Sequence, residues 1–457
     1  MCLVDAIDTL VLELFSRSAA TLLGLFLFIV TTVSLLRTVV VPRSLSSTIA
    51  NVVSRSVTGI HRFIAYRRKT YEGRDSVLAW SGPMIIVSQL IVWLLLYFFA
   101  FALWIYGLAG MNFGQALRQS GSSLFTLGFA DANAAEPTAL EFMAAATGPI
   151  VIALLIGFLP TIYSAYVDRE VNVALLSVTG GEPSWGPEYL ARLALNNQLN
   201  DSAERFHVWI AWMGNVRLTH TTYPVLVQIR SATPYRHWLV STLCIMDAAS
   251  LQLALTKTLP RATASELVVH GTETFKTIYA HMFVKKKLRD RFPLVGKYFG
   301  SPNPSAREME KMPGYRPGTI AVEMAATSDS TRGFSQRAIE LMSAGQSKGI
   351  ELTREEFNSA VAMLKEAGYP IEVDLDTAWI QFSISRKRYE FAAYQLCNAL
   401  DAVPAPWSGP RYKGTGVIAP ASAVEILQTQ VEKSPDSTSR DLTPPDSTSR
   451  AVSPDES

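Results

Sequence analysis

The chain has 457 residues, of which 49% are hydrophobic, and its formal net charge is +2. The length is enough for two or three domains, and the hydrophobic fraction exceeds that of an average soluble protein. Because the net charge is small and no basic domain stands out, no nucleic-acid partner is expected. The three cysteines, Cys2, Cys244 and Cys397, are odd in number and far apart, so they predict free thiols and give no metal-binding spacing.

Three apolar segments are predicted to be transmembrane helices, since about 20 apolar residues cross the hydrocarbon core of a bilayer. The first covers residues 18–41 and follows an N-terminal segment, residues 1–17. It is too long for the core of a signal peptide and lacks a cleavage site, so we expect an uncleaved anchor. The second covers residues 84–107, and the third covers residues 142–167.

Residues 42–83, between the first two spans, form a basic loop. Its charged residues are Arg43, Arg55, Arg62, Arg67, Arg68, Lys69 and Arg74 against Glu72 and Asp75, whereas residues 1–17 are mainly acidic. The positive-inside rule places the basic loop and the large C-terminal region in the cytoplasm, and the N-terminus outside. The sequence thus predicts a multi-pass protein of the cell membrane. The juxtamembrane basic loop is also the best candidate for contact with membrane lipids.

The segment between the second and third spans, residues 115–141, is too polar and too short to cross the membrane, and residues 115–131 within it are predicted to form a pore helix and filter. Polar backbone at membrane depth is stable only when it is buried in protein or lines water. A helix-prone stretch followed by Ser123-Leu-Phe-Thr-Leu-Gly-Phe-Ala-Asp131 has the form of a re-entrant pore loop. The predicted fold is therefore an all-α membrane protein with three transmembrane helices, one re-entrant pore helix and filter, and a helical cytoplasmic domain.

The last six residues of this run resemble the selectivity filter of the potassium-channel family, Thr-Val-Gly-Tyr-Gly-Asp. Thr126, Gly128 and Asp131 match that pattern, Leu127 and Phe129 match it by type, and Ala130 departs from it. Other parts of the chain, such as Pro404-Ala-Pro-Trp407, resemble bacterial, particularly actinobacterial, proteins classed with two-pore-domain potassium channels, although only one pore loop is present here. The resemblance implies K+ or another monovalent cation as the permeant ion, and no cofactor.

In the resembling family, backbone carbonyls of the filter replace the water around the ion, and one pore loop per chain implies a homotetramer. Ala130 lies where the family has its second glycine, and a left-handed backbone there costs an L-residue about 1 kcal/mol or more. We therefore expect a filter that is distorted, less selective or poorly conducting. The alternative interpretation of residues 126–131 is an ordinary turn between two helices.

Acidic residues after the helix-prone stretch, namely Asp131, Glu136 and Glu141, are predicted to form an outer mouth that concentrates cations. Within the third span, Gly157 and Pro160 are predicted to form a gating hinge, because proline removes a helix hydrogen bond. Glycine and proline are also common in membrane helices, so a purely structural role is an equal alternative.

Beyond the third span, apolar residues recur at helical spacing. They predict a cytoplasmic helical domain over residues 168–288 and a second helical piece over residues 318–411, which includes helices from 335 to 344 and from 374 to 400. The stretch Trp238–Leu255 is apolar enough for a fourth span, but we interpret it as a buried bundle helix, because a fourth crossing would put the C-terminus outside. Proline, glycine and charge over residues 289–317 predict a linker, and residues 412–457 predict a disordered tail.

No constellation of residues indicates an enzyme or a metal site. Glu204-x-x-His207 has the form used in di-iron bundles, but a second such motif is missing. The predicted function is a tetrameric, potassium-channel-like cation channel. Two alternatives stay open: a non-conducting membrane receptor or scaffold with a degenerate pore loop, and a non-selective cation pore.

Overall fold

The computed structural model describes residues 2–41, 47–130, 138–283 and 351–425. Within these residues the chain forms thirteen α-helices and no strand, so the prediction of an all-α fold is confirmed for this part of the chain. Four helical segments are long and apolar enough to cross a membrane, as in a multi-pass membrane protein. They are Leu10–Val40, Tyr71–Leu108, Thr138–Gly180 and Trp238–Leu255.

Three long helices correspond to the three predicted spans. Helix α1 (Cys2–Leu35) continues as a π-helix over Leu36–Val40, so the helix begins well before the predicted span. Helix α4 is Ser81–Leu108, and helix α6 (Thr138–Gly180) continues through two internal prolines. At a rise of about 1.5 Å per residue, each is longer than the roughly 30 Å of a bilayer's hydrocarbon core.

Helices α1 and α4 approach each other closely because glycines face backbone atoms. A Cβ atom added at Gly24 would lie 2.8 Å from the carbonyl oxygen of Ala100. One added at Gly107 would lie 2.7 Å from the carbonyl oxygen of Arg17. In a membrane, an apolar helix surface is covered equally well by lipid tails and by protein, so the hydrophobic effect does not drive two helices together. Close packing of this kind stabilises the contact between α1 and α4 instead.

From Ser47 onward, the basic segment between the first two spans contains two helices. Helix α2 (Thr48–Ala65) begins after Ser47, and helix α3 (Tyr71–Ala79) begins after Thr70. Both of these side chains accept a hydrogen bond from a backbone N–H in the first turn, which is the usual capping role of Ser and Thr. Helix α3 leads through Trp80 into α4. Arg55, Arg62 and Arg74 lie on α2 and α3, whereas Arg67, Arg68 and Lys69 lie in the turn between these helices.

Seven further helices form a bundle beyond α6. They are α7 (Gly186–Leu195), α8 (Ser202–Thr222), α9 (Trp238–Leu255), α10 (Arg261–Phe283), α11 (Arg354–Glu366), α12 (Leu375–Lys387) and α13 (Glu390–Ala399). Helix α9 lies at its centre: 94% of its apolar window is buried, against 22% to 33% for the other three candidate spans. A helix covered by protein on all sides has no apolar face left for lipid.

The bundle differs from the sequence-based expectation in one helix. The helix predicted from 374 to 400 is two helices, α12 and α13, which are separated at Arg388 and Tyr389. Tyr389 is fully buried, and its hydroxyl donates a hydrogen bond to Asp247 of α9 at 2.8 Å. This contact joins residues far apart in the chain, so the local spacing of apolar residues does not reveal the break.

The described chain continues past the predicted start of the disordered tail. Lys413 Nζ donates a hydrogen bond to the carbonyl oxygen of Arg68 at 3.1 Å, and the backbone N–H of Ala423 donates to Glu188 at 2.8 Å. Residues 412–425 therefore pack on the bundle and on the basic segment. The predicted linker, the helix predicted from 335 to 344 and the tail beyond residue 425 lie outside the described residues.

A candidate pore loop

A short helix, α5 (Phe113–Leu124), separates α4 from α6 in the chain and packs against both. It begins at a capping box: the backbone N–H of Gln115 donates to Asn112 Oδ1 at 2.9 Å, and the backbone N–H of Asn112 donates to Gln115 Oε1 at 3.3 Å. Its twelve residues rise roughly 18 Å, about half of a membrane crossing. Helix α5 is therefore a half-helix, the element that a re-entrant loop requires.

Contacts with backbone atoms hold α5 against its two neighbours. On one side, Ser120 Oγ donates a hydrogen bond to the carbonyl oxygen of Phe98 in α4 at 2.8 Å. On the other side, a Cβ atom added at Gly148 of α6 would lie 2.0 Å from the carbonyl oxygen of Leu124. Only a glycine lets the last turn of α5 come this close to α6. A glycine within an apolar span does not by itself reveal this contact, which joins two separate helices.

The segment after α5 has an unusual backbone. Thr126 and Gly128 have φ angles of +53° and +69°, in the left-handed region. Glycine adopts this region readily, whereas a residue with a Cβ is strained by about 1–2 kcal/mol. Ala130 does not adopt a positive φ. The backbone strain that the sequence predicts at Ala130 is thus found at Thr126 instead. Strained backbone positions of this kind cluster at functional sites.

Two side chains of α5 hold Ala130. The backbone N–H of Ala130 donates to Ser122 Oγ at 3.0 Å, and Gln119 Nε2 donates to the carbonyl oxygen of Ala130 at 3.4 Å. Gln119 also donates to Glu141 in the first turn of α6 at 2.5 Å. Gln119 and Ser122 are buried, and sequence reasoning missed both. The available signal was the polar stripe on a short helix between two apolar ones.

The end of the loop is exposed on a single chain. The side chains of Phe125, Leu127 and Phe129 are 44%, 62% and 55% exposed. The guanidinium of Arg118 lies over the ring of Phe129, 5.4 Å from its centroid. Contiguous exposed apolar side chains of this kind mark a surface that lipid or another protein surface covers.

Of the other predicted site residues that the structure describes, Glu141 lies beside the loop, whereas Gly157 and Pro160 lie further along α6. Glu141 is half-buried and interacts with Gln119 rather than standing free at a mouth, while Asp131 and Glu136 lie outside the described residues. Gly157 and Pro160 are exposed in the interior of α6, which is one continuous helix, and a Cβ atom added at Gly157 would meet nothing within 4 Å. The gating hinge stays a prediction.

Within the described part of the chain, no group of three or more His, Cys, Asp and Glu side chains is arranged to hold a metal ion. Cys244 and Cys397 are buried free thiols, as the cysteine spacing predicts. Burial raises the pKa of the Cys397 thiol, which keeps it protonated and unreactive.

Comparison of the chain with models of known protein families, with curated proteins and with solved structures finds no match. A proposal for the function therefore rests on the geometry of this loop and on the resemblance of residues 126–131 to a potassium-channel filter.

Proposed function

We propose that the chain is one subunit of a potassium-channel-like cation channel, in which residues 125–130 of four subunits surround the path of the ion. One observation carries the proposal: a polar half-helix anchored against two membrane helices is followed by an exposed Thr-Leu-Gly-Phe run with two left-handed residues. Irregular backbone at membrane depth is stable only where it lines water or is buried in protein.

In this proposal α1, α4 and α6 cross the cell membrane, and α9 belongs to the cytoplasmic bundle. The burial of α9 supports this topology, because a lipid-facing helix leaves much of its surface uncovered by protein. The basic segment that contains α2 and α3 then lies on the cytoplasmic side, in agreement with the positive-inside rule. Membrane lipids are the expected neighbours of the three spans.

Four subunits follow from what a dehydrated cation needs. Oxygen ligands must surround the ion, and one chain supplies only one loop, so identical loops related by a closed symmetry axis complete the site. The same assembly covers the exposed side chains of Leu127 and Phe129. The C-terminal end of α5, which carries partial negative charge, would favour a cation nearby.

A specific observation also favours a second function, a non-conducting membrane receptor or scaffold. The carbonyl oxygen of Ala130 already accepts a hydrogen bond from Gln119, and Thr126 is strained. Because of these two features, fewer backbone carbonyl oxygens are free to bind an ion without strain than in a filter with a second glycine.

Recording the purified full-length protein in planar bilayers, in K+ and then in Na+, tests the proposal. We expect a current larger in K+ than in Na+, and we expect Gly128→Ala to abolish it because of the positive φ at that position. Gly214→Ala is the matched control, since Gly214 lies in α8 with nothing within 4 Å of an added Cβ.

The remaining outcomes separate the alternatives. Silence in both salts that Ala130→Gly reverses would support the receptor or scaffold. Equal currents in K+ and Na+ would support a non-selective cation pore. Silence in both the wild-type protein and Ala130→Gly would contradict conduction altogether.

A further inference from the structure

A cavity of about 110 Å³ lies at the end of α1, between α2, α4, α6 and the segment 223–225 after α8. Residues of the π-helix that follows α1, of α4 and of α6 line it, so it lies against the membrane helices at the level where α1 ends and α4 begins. A cavity of this order holds a small ring or the first few methylene groups of a chain. The cavity is separate from the pore loop, so binding in it does not require ion conduction.

The π-helix Leu36–Val40 forms one wall of the cavity. Arg37, Thr38 and Val39 all line it. Short π-helical segments occur frequently at functional sites, where the extra residue redirects side chains. Among the described residues, Arg37 has neither an ion-pair nor a hydrogen-bond partner, and its side chain is exposed. An exposed guanidinium at the edge of a membrane helix is a ready partner for a phosphate oxygen.

The opposite wall contains an unpartnered buried donor. Gln89 of α4 is only 5% exposed, and within the described part of the chain its Nε2 atom has no hydrogen-bond partner. Burying an amide donor without an acceptor is unfavourable. A ligand that brings an oxygen acceptor into the cavity would satisfy Gln89.

The remaining lining residues define the chemical class of that ligand. Ile85, Leu155 and Phe158 provide apolar surface for hydrocarbon. The ionisable side chains of the lining are Arg37, Tyr223 and His281, and no carboxylate of the described residues lines the cavity. The cavity therefore combines a cationic rim, a buried amide donor and apolar walls.

We propose that this cavity binds an anionic glycerophospholipid from the surrounding leaflet. A phosphate oxygen accepts from the Arg37 guanidinium, an ester carbonyl accepts from Gln89 Nε2, and the first methylene groups of one acyl chain lie against Ile85 and Phe158. A free fatty acid brings a single carboxylate, whereas a glycerophospholipid brings a phosphate and a separate ester carbonyl, one acceptor group for each donor. Free phosphate has nothing to place against the apolar wall.

The segment after α8 also lines the cavity, through Tyr223, Pro224 and Val225. A lipid bound here therefore contacts both the membrane helices and the bundle. Its occupancy stabilises the arrangement in which these two parts meet, because a ligand stabilises the state that binds it.

Native mass spectrometry of the full-length protein, released from detergent, tests the proposal. The probes are dioctanoyl phosphatidylglycerol, its ether-linked analogue, dioctanoyl phosphatidylcholine and octanoate. We expect saturable binding of phosphatidylglycerol with an apparent Kd about tenfold lower than that of each other probe. The ether analogue lacks the carbonyl that accepts from Gln89, and octanoate lacks the phosphate. Phosphatidylcholine keeps the phosphate but carries a choline cation, which the charge of Arg37 repels.

Two variants assign the contacts. Arg37→Gln removes the preference for phosphatidylglycerol over phosphatidylcholine, and Gln89→Leu removes the preference for the ester over the ether. Gln89→Leu leaves the thermal unfolding temperature without lipid unchanged or raises it, since the unpaired donor is gone. Arg55→Gln is the matched control, because Arg55 is exposed on α2 outside the cavity wall and its loss leaves both preferences intact.

Three results would overturn the proposal. Equal affinity for phosphatidylglycerol and phosphatidylcholine would mean that the anionic headgroup is not recognised. Equal affinity for the ester and the ether would remove the role of Gln89. Saturation by octanoate at the same concentration as phosphatidylglycerol would identify a fatty-acid site instead.

Discussion

Arg74 and Asp401 lie 327 residues apart in the sequence and form a buried ion pair, in which Arg74 Nε donates to Asp401 Oδ2 at 2.9 Å. Next to them, Arg230 pairs with Asp75 and also donates to the backbone carbonyl oxygen of Asp401 at 2.9 Å. Helix α3, which leads into the long apolar helix α4, is thereby attached to the chain beyond α13. These contacts fix the bundle to the helix that precedes α4.

We expect Asp401→Asn to lower the free energy of unfolding by about 3 kcal/mol, because it leaves the buried guanidinium of Arg74 without its counter-charge. Asparagine is chosen because Asp401 has a φ of +47°, which Asn tolerates. Denaturant unfolding of the detergent-purified protein measures the change.

Asp376→Asn is the control for that experiment. Asp376 pairs with Arg354 at 2.8 Å, but its side chain is 86% exposed. We expect its replacement to change stability by less than about 1 kcal/mol. Equal losses for Asp376→Asn and Asp401→Asn would show that the Arg74–Asp401 pair has no special role.

The contact between α5 and α6 gives a second expectation. Gly148→Ala places a Cβ atom against the carbonyl oxygen of Leu124, so it forces the half-helix away from α6. We expect a loss of about 1–3 kcal/mol in stability and loss of any current. Gly157→Ala is the matched change in the same helix: with nothing near the added Cβ, it raises stability by up to about 1 kcal/mol. A stable, conducting Gly148→Ala protein would contradict this packing.

The tether on Ala130 gives a third expectation. Ser122→Ala removes the acceptor for the backbone N–H of Ala130, so the filter-like run loses one of its two anchors on α5. We expect the ratio of K+ to Na+ permeability to fall toward one, and stability to fall by about 1 kcal/mol. Ser123→Ala is the control, since the Ser123 side chain forms no hydrogen bond with the described residues. A permeability ratio that is the same in both variants would argue against the tether.

Stability should depend on pH through two buried histidines. Arg169 Nη1 contacts His220 Nε2 at 3.1 Å, so this nitrogen accepts and the imidazole is neutral. Burial and the charge of Arg169 hold the pKa of His220 well below its usual value, and burial and Arg230 do the same for the pKa of His237. In the unfolded chain each takes up a proton near pH 6.5.

The direction of the pH dependence is set by proton binding. Because the unfolded chain binds these protons and the folded protein does not, the contribution of the two histidines to stability is constant above about pH 6.5. Below that pH each histidine lowers stability by about 1.4 kcal/mol per pH unit. Burial raises the pKa of Asp247 to about 6, so this one carboxyl opposes the loss below pH 6. We expect the denaturant midpoint to decrease as the pH is lowered from 8 to 5. In His220→Gln the dependence of the unfolding free energy on pH should correspond to one fewer proton taken up on unfolding. An unchanged slope in His220→Gln would contradict a neutral buried His220.

The membrane elements and the half-helix were predictable from the sequence because their signals are local. A long apolar run or the Asn112–Gln115 capping box is contained within the segment that it shapes. The break between α12 and α13 and the Arg74–Asp401 pair were not predictable, because the partners are distant in the chain. The positive φ of Thr126 was not predictable either, because the filter-like sequence pattern specifies residue types and not backbone angles.

A pore built from four of these loops requires Leu127 to lie near a shared four-fold axis. Pulsed electron paramagnetic resonance on Leu127→Cys tests this in lipid bilayers, with Cys2 replaced by serine and the buried Cys244 and Cys397 left in place. Four-fold symmetry gives two spin–spin distances in a ratio of about 1.4. We expect both distances to be shorter than those from a label at the exposed Leu218 of α8. A single distance, no measurable spin–spin coupling at Leu127, or longer distances there than at Leu218 would contradict such a pore.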